Sequence, residues 1–357
     1  MIRILHVLNN LGSGGAEAFL MNIYRNIDRS KVQFDFLIRS RENNQLKPEI
    51  EAMGGKVYIM PPFPQKLFAN YKSVDKFLRD NAKKYTAIHV HANALIYVKP
   101  LELAYKYNIP CRIIHSHNTF TNVKILHNFN KNRIDKWVTH RFACSDLAAE
   151  WMFENKEYCF VPNGVNLEKF SYCEQDRNDI REKYNLKHKF VVGNVGRLTP
   201  QKNHVFLLEI FAEIYKKNTD ARLLLVGDGK DKEKIEKWIQ EKRLSEAVIF
   251  TGAVSNVAQY MSAMDVFLMP SQWEGLPVVL VEAQANGLPC IISDVITEQV
   301  DVCCIRRLSL CDNVCKWADE VMLTTRIKKE CSELLDTFDI RHVAKSLENF
   351  YLNEGGL

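Results

Sequence analysis

Two glutamates, Glu274 and Glu282, lie eight residues apart in the segment VFLMPSQWEGLPVVLVEAQANGLPCII, which covers residues 266–292. A carboxylate accepts more than one hydrogen bond, so it suits the vicinal hydroxyls of a ribose or a pyranose. Glu282 stands in the apolar run PVVLVEAQA, where an unpaired carboxylate is costly. The alternative is a solvated loop glutamate and a helix-surface glutamate. We favour a pair that binds sugar hydroxyls.

The residues around these acids predict a strand, a loop and a helix. Residues 266–269 are apolar and form the strand, Pro277 suits the first turn of the helix, and Gly287 ends it. Glu274 then falls in the loop, and Glu282 falls more than one turn into the helix. Open parallel sheets bind ligands at the carboxyl ends of their strands, so we expect both acids at that edge.

Two cations, Arg197 and Lys202, follow another predicted strand in the segment VVGNVGRLTPQKN, residues 191–203. They flank a turn before a helix that is predicted to start near Asn203. Fixed cations at a strand end and a helix N-terminus suit a diphosphate, because negative charge develops on that leaving group when a glycosidic bond breaks. The alternative is two exposed basic residues in a loop. With the acid pair, they indicate a nucleotide-sugar pocket.

The first loop, residues 9–17 with the sequence NNLGSGGAE, lies between a predicted strand and a predicted helix. Gly12, Gly14 and Gly15 allow backbone N–H groups to approach a phosphate or a sugar closely. A dinucleotide fingerprint requires G-x-G-x-x-G, and Glu17 occupies its last glycine position. A loop that faces a sugar donor therefore fits better than an NAD site.

The segment CRIIHSHNT, residues 111–119, ends a predicted strand with two histidines. His117 lies at the carboxyl end of the strand, where we expect it over the donor sugar. His115 is one alternation earlier on the same side, and we assign it to strand packing. A lone histidine is more often structural, so the assignment of His117 depends on the other motifs.

The net charge of +5 is mild, and lysines alternate with glutamates through much of the C-terminal half. This balance does not predict nucleic-acid binding, which needs basic residues clustered on one face. Residues 124–141 are more one-sided, with Lys124, Lys131, Arg133, Lys136 and Arg141 against a single acid, Asp135. This stretch is either a solvated helix face or a surface that contacts anionic lipid or a lipid-diphosphate acceptor.

No run of eighteen apolar residues occurs, and the opening MIRILHVL lacks the pattern of a secretory signal. We therefore expect a cytoplasmic protein, with contact at the inner face of the plasma membrane as an option. The ten cysteines include no C-x-x-C pair, and no zinc site is predicted among them.

Short apolar, β-branched runs alternate with amphipathic segments of helix length along the whole chain, which is typical of βαβ units and predicts an α/β fold with parallel sheets. Strands are predicted in the first half at 3–8, 33–38, 56–60, 87–91, 111–116, 141–144 and 158–161. In the second half they are predicted at 190–195, 221–226, 248–251, 266–269 and 290–293.

The chain has 357 residues, more than one hydrophobic core usually serves. The turn PNGV and the polar stretch after it predict a boundary between two Rossmann-like domains, residues 1–163 and 164–336. Residues 337–357 contain a last periodic segment after the second sheet should be complete. We expect it to form a helix that packs back toward the first domain.

These residues resemble glycosyltransferase family 4 (GT4), a family of retaining glycosyltransferases with the GT-B fold. The resemblance spans nearly the whole chain and rests on GGAE, SHNT, PNGV, GRLTPQKN, LVGDG, FTG and the E-x7-E motif, in that order. It implies two facing Rossmann-like domains with a cleft between them and a C-terminal helix that crosses back. Many members have a glycine-rich stretch after the position of Ser293, where this chain reads DVITEQVDVCCIRRL.

The resemblance implies roles for the residues of the second domain. Glu282 would bind the nucleotide ribose. Glu274 and the backbone of Gly275 and Leu276 would contact the donor sugar.

The same resemblance implies that Arg197 and Lys202 neutralise the diphosphate. Gly14 and Gly15 would lie close to it, and His117 would lie near the transferred sugar. No metal or other cofactor is expected, since the cations and a helix N-terminus replace one. Retention is then attributed to attack from the front face, assisted by the departing phosphate.

The motifs are similar to those of the branch that builds bacterial exopolysaccharide, capsule or O-antigen units. The leading hypothesis is transfer of a hexose or N-acetylhexosamine from a nucleotide-sugar to a lipid-linked or saccharide acceptor, with a UDP-sugar favoured over a GDP-sugar as donor. One alternative is a sugar-nucleotide epimerase of the same architecture. The other is a non-catalytic nucleotide-sugar-binding subunit, which would have no need of both the acids and the cations.

Overall fold

The computed structural model of the chain describes residues 1–12, 14–119, 121–326 and 333–354. It divides into two units, each built on its own parallel sheet within these ranges. The first unit comprises Met1–Gly164 and Asp339–Leu357, and the second comprises Val165–Phe338. The unit boundaries lie one and two residues from the predicted domain boundaries.

The strands are short, apolar and mostly buried, as expected for parallel sheets whose two faces are both covered. In chain order they are β1 (Ile2–Leu8), β2 (Val32–Ile38), β3 (Val57–Ile59), β4 (Ala87–Ala92), β5 (Cys111–Ser116), β6 (His140–Ala143), β7 (Cys159–Phe160), β8 (Phe190–Val195), β9 (Ala221–Val226), β10 (Val248–Gly252), β11 (Val266–Met269), β12 (Cys290–Ser293) and β13 (Ile305–Leu308).

Helices connect these strands. In chain order they are α1 (Gly15–Asn26), α2 (Lys47–Ala52), α3 (Leu67–Asn81), α4 (Lys99–Lys106), α5 (Lys124–Lys131), α6 (Asp146–Phe153), α7 (Leu167–Phe170), α8 (Glu174–Lys183), α9 (His204–Lys217), α10 (Lys232–Glu241), α11 (Val257–Ala263), α12 (Val278–Ala285), α13 (Val314–Leu323) and α14 (Ile340–Glu354). Across the described ranges, none of them combines the length and the apolar character that a membrane span requires.

Each sheet contains a point at which the order of its strands reverses. The first sheet has the order β3-β2-β1-β4-β5-β6-β7, and the second has the order β10-β9-β8-β11-β12-β13. The reversals fall between β1 and β4 and between β8 and β11. Because the loops diverge there, the carboxyl ends of these neighbouring strands are the expected ligand sites of the two units.

The last helix, α14, belongs to the first unit. It packs against α1 and β2 and adds Val343, Leu347 and Tyr351 to the core of that unit. The carboxylate of Glu348 accepts a hydrogen bond from the backbone N–H of Asp28 at 3.0 Å. The chain therefore leaves the first unit, builds the second, and returns to complete the first core.

The predicted strands are confirmed, with ends that differ by no more than one residue. The prediction missed β13, whose sequence IRRL has arginines at its centre. This strand lies at the edge of the second sheet, where it pairs only with β12 among the described strands. Arg307 donates hydrogen bonds to Asp301 at 2.8 Å and to the carbonyl of Thr297 at 2.8 Å, so a charged residue is tolerated in a strand.

Candidate functional site

The carboxyl end of β8 leads into a turn that brings Lys202 back across the strand end. A short 3-10 helix spans Pro200–Lys202, and Asn203 then adopts a left-handed conformation with φ of 54° before α9 begins. Asparagine tolerates this conformation better than most residues. A Cβ atom added to Gly196 would lie 3.1 Å from Cε of Lys202. The lysine stem therefore passes directly over the strand end.

The glycines of the LVGDG segment serve this turn by allowing two strand ends to approach each other. Gly227 has a φ of +140°, and an added Cβ would lie 2.0 Å from the carbonyl oxygen of Gly196. A Cβ on Gly229 would lie 2.4 Å from the carbonyl oxygen of Leu198. Larger residues would push the β8 turn out of place, so these glycines position the loop that carries Arg197 and Lys202.

Lys202 and Glu274 form an ion pair with 2.8 Å between Nζ and Oε1. Both side chains are largely shielded, with exposed fractions of 13% and 7%. Gln201, which the sequence prediction overlooked, donates hydrogen bonds from Nε2 to Glu274 Oε2 at 3.1 Å and to the carbonyl of Trp273 at 3.0 Å. The loops after β8 and β11 are thus joined at the reversal point of the second sheet.

The segment between Glu274 and α12 has open space on one side of its backbone. Gly275 has open space on its side-chain face, since an added Cβ would meet no atom within 4 Å, whereas Leu276 is buried. Pro277 is the N-cap of α12 and provides no side-chain cap. Unsatisfied N–H groups at a helix N-terminus attract an anion. Arg197 is exposed on the neighbouring turn, so two cations lie near this end of the sheet.

Glu282 lies on α12 as predicted and is half-buried. Burial raises the pKa of its carboxyl group to about 7, and the positive charge of Lys169 offsets only part of this rise. No residue in the described ranges donates a hydrogen bond to this carboxylate. A half-buried acid that accepts no hydrogen bond from the protein is available to accept hydrogen bonds from a ligand.

His117 lies just after β5 in the first unit and is half-buried. Its Nε2 lies 2.8 Å from Nδ1 of His91, and its ring stacks on His115 with 4.0 Å between centroids. Burial lowers the pKa of His117 to about 3, so the imidazole is neutral at physiological pH. His115 is fully buried.

The glycine loop after β1 leads directly into α1. Gly14 is the N-cap of the helix without a side-chain cap, and Gly15 is its first residue. An added Cβ would meet no atom within 4 Å at Gly15, but at Gly14 it would lie 2.2 Å from a carboxylate oxygen of Glu17. Gly15 therefore has the open space that a ligand needs, while Glu17 already covers Gly14.

The basic stretch 124–141 proves to be a mixed surface rather than a uniform cationic one. Arg141 pairs with Asp135 at 2.6 Å, and Lys131 pairs with Glu154 at 3.1 Å. Lys124, Arg133 and Lys136 are exposed, with no acidic partner among the described residues.

The apolar side chains of α5 also face outward. Ile125 and Phe129 have exposed fractions of 89% and 62%, and Val123 and Leu126 are exposed beside them. His127 and Asn130 bind the backbone of Leu95 on the inner side of this helix. The outer side therefore combines apolar side chains with cations, which is typical of an interfacial helix.

Two sequence profiles match the chain. The one described as Glycosyltransferase Family 4 matches residues 13–169, and the one described as Glycosyl transferases group 1 matches residues 176–304. The putative glycosyltransferase EpsF of Bacillus subtilis is 35% identical over 339 residues, which cover 89% of this chain and 86% of that protein. The chain belongs to glycosyltransferase family 4 and is a glycosyltransferase.

Other relatives carry more specific names. The UDP-Gal:alpha-D-GlcNAc-diphosphoundecaprenol alpha-1,3-galactosyltransferase of Escherichia coli is 36% identical over 159 residues, 40% of this chain and 41% of that protein. The capsular polysaccharide biosynthesis glycosyltransferase CapH of Staphylococcus aureus is 24% identical, with 99% of both chains covered.

Solved structures confirm the GT-B fold. The crystal structure of Anabaena Alr3699/HepE in complex with UDP and glucose has a TM-score of 0.77 at 17% identity, and 99% of this chain and 100% of that chain are covered. A glycosyltransferase from Rickettsia africae has a TM-score of 0.81 at 16% identity, with 99% and 98% covered. At these identities the likeness establishes the architecture alone.

Proposed function

We propose that the chain is a retaining, metal-independent glycosyltransferase of bacterial surface polysaccharide synthesis, which uses a UDP-sugar donor to glycosylate a lipid-linked or saccharide acceptor. The observation that carries this proposal is the arrangement at the reversal point of the second sheet. There the shielded Lys202–Glu274 ion pair lies beside an open backbone segment, and Glu282 is a half-buried acid without protein donors.

The donor would bind through these groups in a fixed order along the pocket. The ribose hydroxyls donate hydrogen bonds to Glu282, whose carboxylate accepts none from the protein. The diphosphate is neutralised by Lys202 and Arg197, and the N-terminus of α12 adds its partial positive charge. Glu274 and the backbone of Gly275 and Leu276 contact the sugar.

The ion pair gives Lys202 a defined position before any donor arrives. Glu274 and the hydrogen bond from Gln201 keep the ammonium group at the strand end. A cation that is already in place stabilises the charge on a departing diphosphate without a reorganisation cost. This is the work that a bound metal performs in other transferases, and it supports the proposal of metal-independent transfer.

Retention follows from attack by an acceptor hydroxyl on the face of the anomeric carbon that the diphosphate leaves. The bond from the anomeric carbon to the phosphate oxygen breaks, the bond to the acceptor oxygen forms, and the departing phosphate accepts the hydroxyl proton. His117 is neutral at physiological pH, so we assign it a hydrogen bond to the transferred sugar and no role as a general acid. Gly15, whose side-chain face is open, approaches the diphosphate, whereas Gly14 is covered by Glu17.

The acceptor and its location are proposed from two observations. The outer surface of α5 presents Ile125 and Phe129 beside Lys124, Arg133 and Lys136. Apolar side chains that enter the acyl boundary, flanked by cations that attract anionic headgroups, favour a lipid-linked acceptor at the inner face of the plasma membrane. The Escherichia coli relative is named for a diphosphoundecaprenol acceptor, which supports the same class.

The donor can be tested by a thermal-shift screen of UDP- and GDP-sugars. A ligand that binds the folded state raises its apparent stability, and we expect a UDP-sugar to give the largest shift. Incubation of that donor with a lipid-diphosphate sugar acceptor, followed by NMR analysis of the anomeric configuration, then tests transfer and retention. A product of inverted configuration, or turnover abolished by EDTA, would contradict the proposal.

A further inference from the structure

Five histidines lie on one face of the first sheet, at and beyond its reversal point. His6 is on β1, His89 and His91 are on β4, and His115 and His117 are at the end of β5. The strand register pairs His6 with His89 and His91 with His115. Because side chains two residues apart point to the same face of a strand, all five rings share one layer.

These rings form two hydrogen-bonded chains. His6 Nδ1 lies 3.0 Å from His91 Nε2, and His91 Nδ1 lies 2.8 Å from His117 Nε2. In the second chain, the hydroxyl of Tyr351 lies 2.7 Å from His89 Nδ1, and His89 Nε2 lies 3.1 Å from His115 Nδ1.

Both chains leave ring nitrogens without a partner. The buried atoms His6 Nε2, His115 Nε2 and His117 Nδ1 have no hydrogen-bond partner within the described ranges. A buried polar atom left unsatisfied in this way is uncommon and needs an explanation. Neutral imidazole nitrogens with free lone pairs are the commonest ligands of transition metals in proteins.

His91, His115 and His117 each offer one ring nitrogen, and these atoms lie within 4.8 Å of one another. A tetrahedral zinc ion needs bonds of about 2.0–2.1 Å, which correspond to separations of about 3.3 Å between ligand nitrogens. Binding of one ion therefore requires ring rotations that bring these nitrogens closer together. Three histidines with an open fourth position form a donor set that zinc adopts in proteins.

A second triad, His6, His89 and His91, meets the same distance criterion but is a poorer site. Both nitrogens of His91, which the two triads share, have histidine partners, so an ion in either triad would replace one of these contacts. Both nitrogens of His89 also have partners, which leaves only His6 with a free nitrogen in the inner triad, whereas His115 and His117 each have one in the outer triad. The inner triad has two fully buried members, His6 and His89. In the outer triad only His115 is fully buried, while His91 and His117 are half-buried near the carboxyl ends of their strands. The outer triad therefore presents two partly exposed ligands to an ion and the inner triad presents one.

A third group, Cys111, His140 and Glu354, lies on a different part of the first unit. Burial raises the pKa of the Cys111 thiol to about 12. A thiol must lose its proton to bind a metal well. This group is therefore a weaker candidate than the three histidines.

We propose that His91, His115 and His117 bind one divalent transition-metal ion of the zinc class, and that the bound ion inhibits glycosyl transfer. The inhibitory half rests on the proposed function, because it requires that His117 contact the donor sugar. An ion bound to His117 occupies the ring nitrogen that the sugar would use. The same chain is then active without metal and repressed by zinc.

Metal binding is tested on the full-length, metal-free protein without donor or acceptor. Isothermal titration with Zn²⁺ should give saturable binding of one ion per chain, and Co²⁺ should give the visible absorption of a tetrahedral site. His115→Asn keeps a polar atom near the position of Nδ1, which faces His89, and removes Nε2. This variant should bind Zn²⁺ at least about a hundredfold more weakly, since loss of an outer-shell partner alone costs 10–100-fold.

Two matched variants separate the candidate groups. His6→Asn alters the inner triad by the same change, and Glu354→Gln alters the third group; both should retain the wild-type affinity for Zn²⁺. The proposed site would be refuted if the wild type showed no saturable binding of Zn²⁺. It would also be refuted if His115→Asn and the wild type bound Zn²⁺ with equal affinity. Loss of Zn²⁺ binding in His6→Asn would assign the ion to the inner triad and would also refute the proposed outer site.

The inhibitory half is tested separately by turnover with and without Zn²⁺. Wild-type turnover should fall as the site fills, over the concentration range measured by titration. His115→Asn should keep its metal-free turnover and escape the inhibition. Zinc binding without loss of turnover would refute the inhibition alone, and a chain that binds zinc but transfers no sugar would refute the proposed function instead.

Discussion

Replacement of Glu282 by glutamine should remove a pH-dependent decrease in the free energy of unfolding. Burial raises the pKa of Glu282 from its ordinary value of 4.5 to about 7. The folded protein therefore keeps this proton over a pH range in which the unfolded chain has released it. Since the unfolded state binds fewer protons in this range, the free energy of unfolding falls as pH rises from about 4.5 to about 7. Above about pH 7 the contribution of Glu282 to the free energy of unfolding is constant.

The size of the effect follows from the shift itself. A rise of about 2.5 units corresponds to ~3 kcal/mol at full ionisation, since one unit is worth about 1.4 kcal/mol. Integrated between about pH 5 and about pH 8, this one group lowers the free energy of unfolding of the wild type by about 2.5 kcal/mol. Glutamine has a similar shape and no charge, so the stability of Glu282→Gln should lack this pH-dependent decrease.

Urea denaturation at several pH values measures the difference in the free energy of unfolding between Glu282→Gln and the wild type directly. The stability of Glu282→Gln relative to the wild type should increase from about pH 5 to about pH 8 by about 2.5 kcal/mol. Glu209→Gln, a change at an exposed site on α9, is the matched control and should show no such trend. A stability difference between Glu282→Gln and the wild type that is constant with pH would refute the claim that this half-buried acid has a raised pKa and no hydrogen-bond donor in the protein.

Three further changes test other parts of the account. Lys202→Ala should reduce turnover at least about tenfold while the protein stays folded, because a shielded cation no longer stabilises the leaving group. Steady-state kinetics measure the turnover, and circular dichroism measures whether the variant is folded. Tyr351→Phe should lower the free energy of unfolding by about 1–2 kcal/mol in urea denaturation, since His89 Nδ1 loses its partner. The double change Ile125→Ser and Phe129→Ser should weaken co-sedimentation with anionic liposomes at least about tenfold, since each side chain contributes ~1.5 kcal/mol or more when buried.

Controls keep these outcomes distinct. Lys217→Ala, at a lysine on the outside of α9, should leave turnover unchanged. Leu323→Ser removes an exposed apolar side chain from the second unit and should leave liposome binding unchanged. Liposome binding by the wild type should also weaken at high salt, because the exposed cations are screened. Binding that is absent at low salt would exclude the proposed membrane contact.

Much of the fold was predictable because parallel strands buried on both faces leave a clear apolar signal. The strand at 266–269 and the helix that carries Glu282 occur where the apolar run, Pro277 and Gly287 placed them. The strand β13 escaped prediction for the opposite reason. Arg307 finds partners in a loop that precedes the strand, Arg306 pairs with Glu320 on α13, and no local pattern reveals such contacts.

The site was predictable in its residue types but not in its contacts. The sequence indicated that Lys202 and Glu274 belong to one pocket, yet their direct ion pair and the link through Gln201 join loops about seventy residues apart. Such pairings depend on sheet order, which a single sequence does not contain. The histidine layer had a detectable signal, since His89 and His91 repeat the spacing of His115 and His117, but only strand register brings the two pairs together.

The central claim is that the second unit binds the nucleotide of the donor through Lys202 and Glu282. Isothermal titration of UDP into the wild type, Lys202→Ala and Glu282→Ala tests it most directly. We expect saturable binding of one UDP per wild-type chain and at least about tenfold weaker binding in each variant, from the loss of a charge-assisted contact in a shielded site. No saturable binding to the wild type, or equal affinity in all three proteins, would contradict the account.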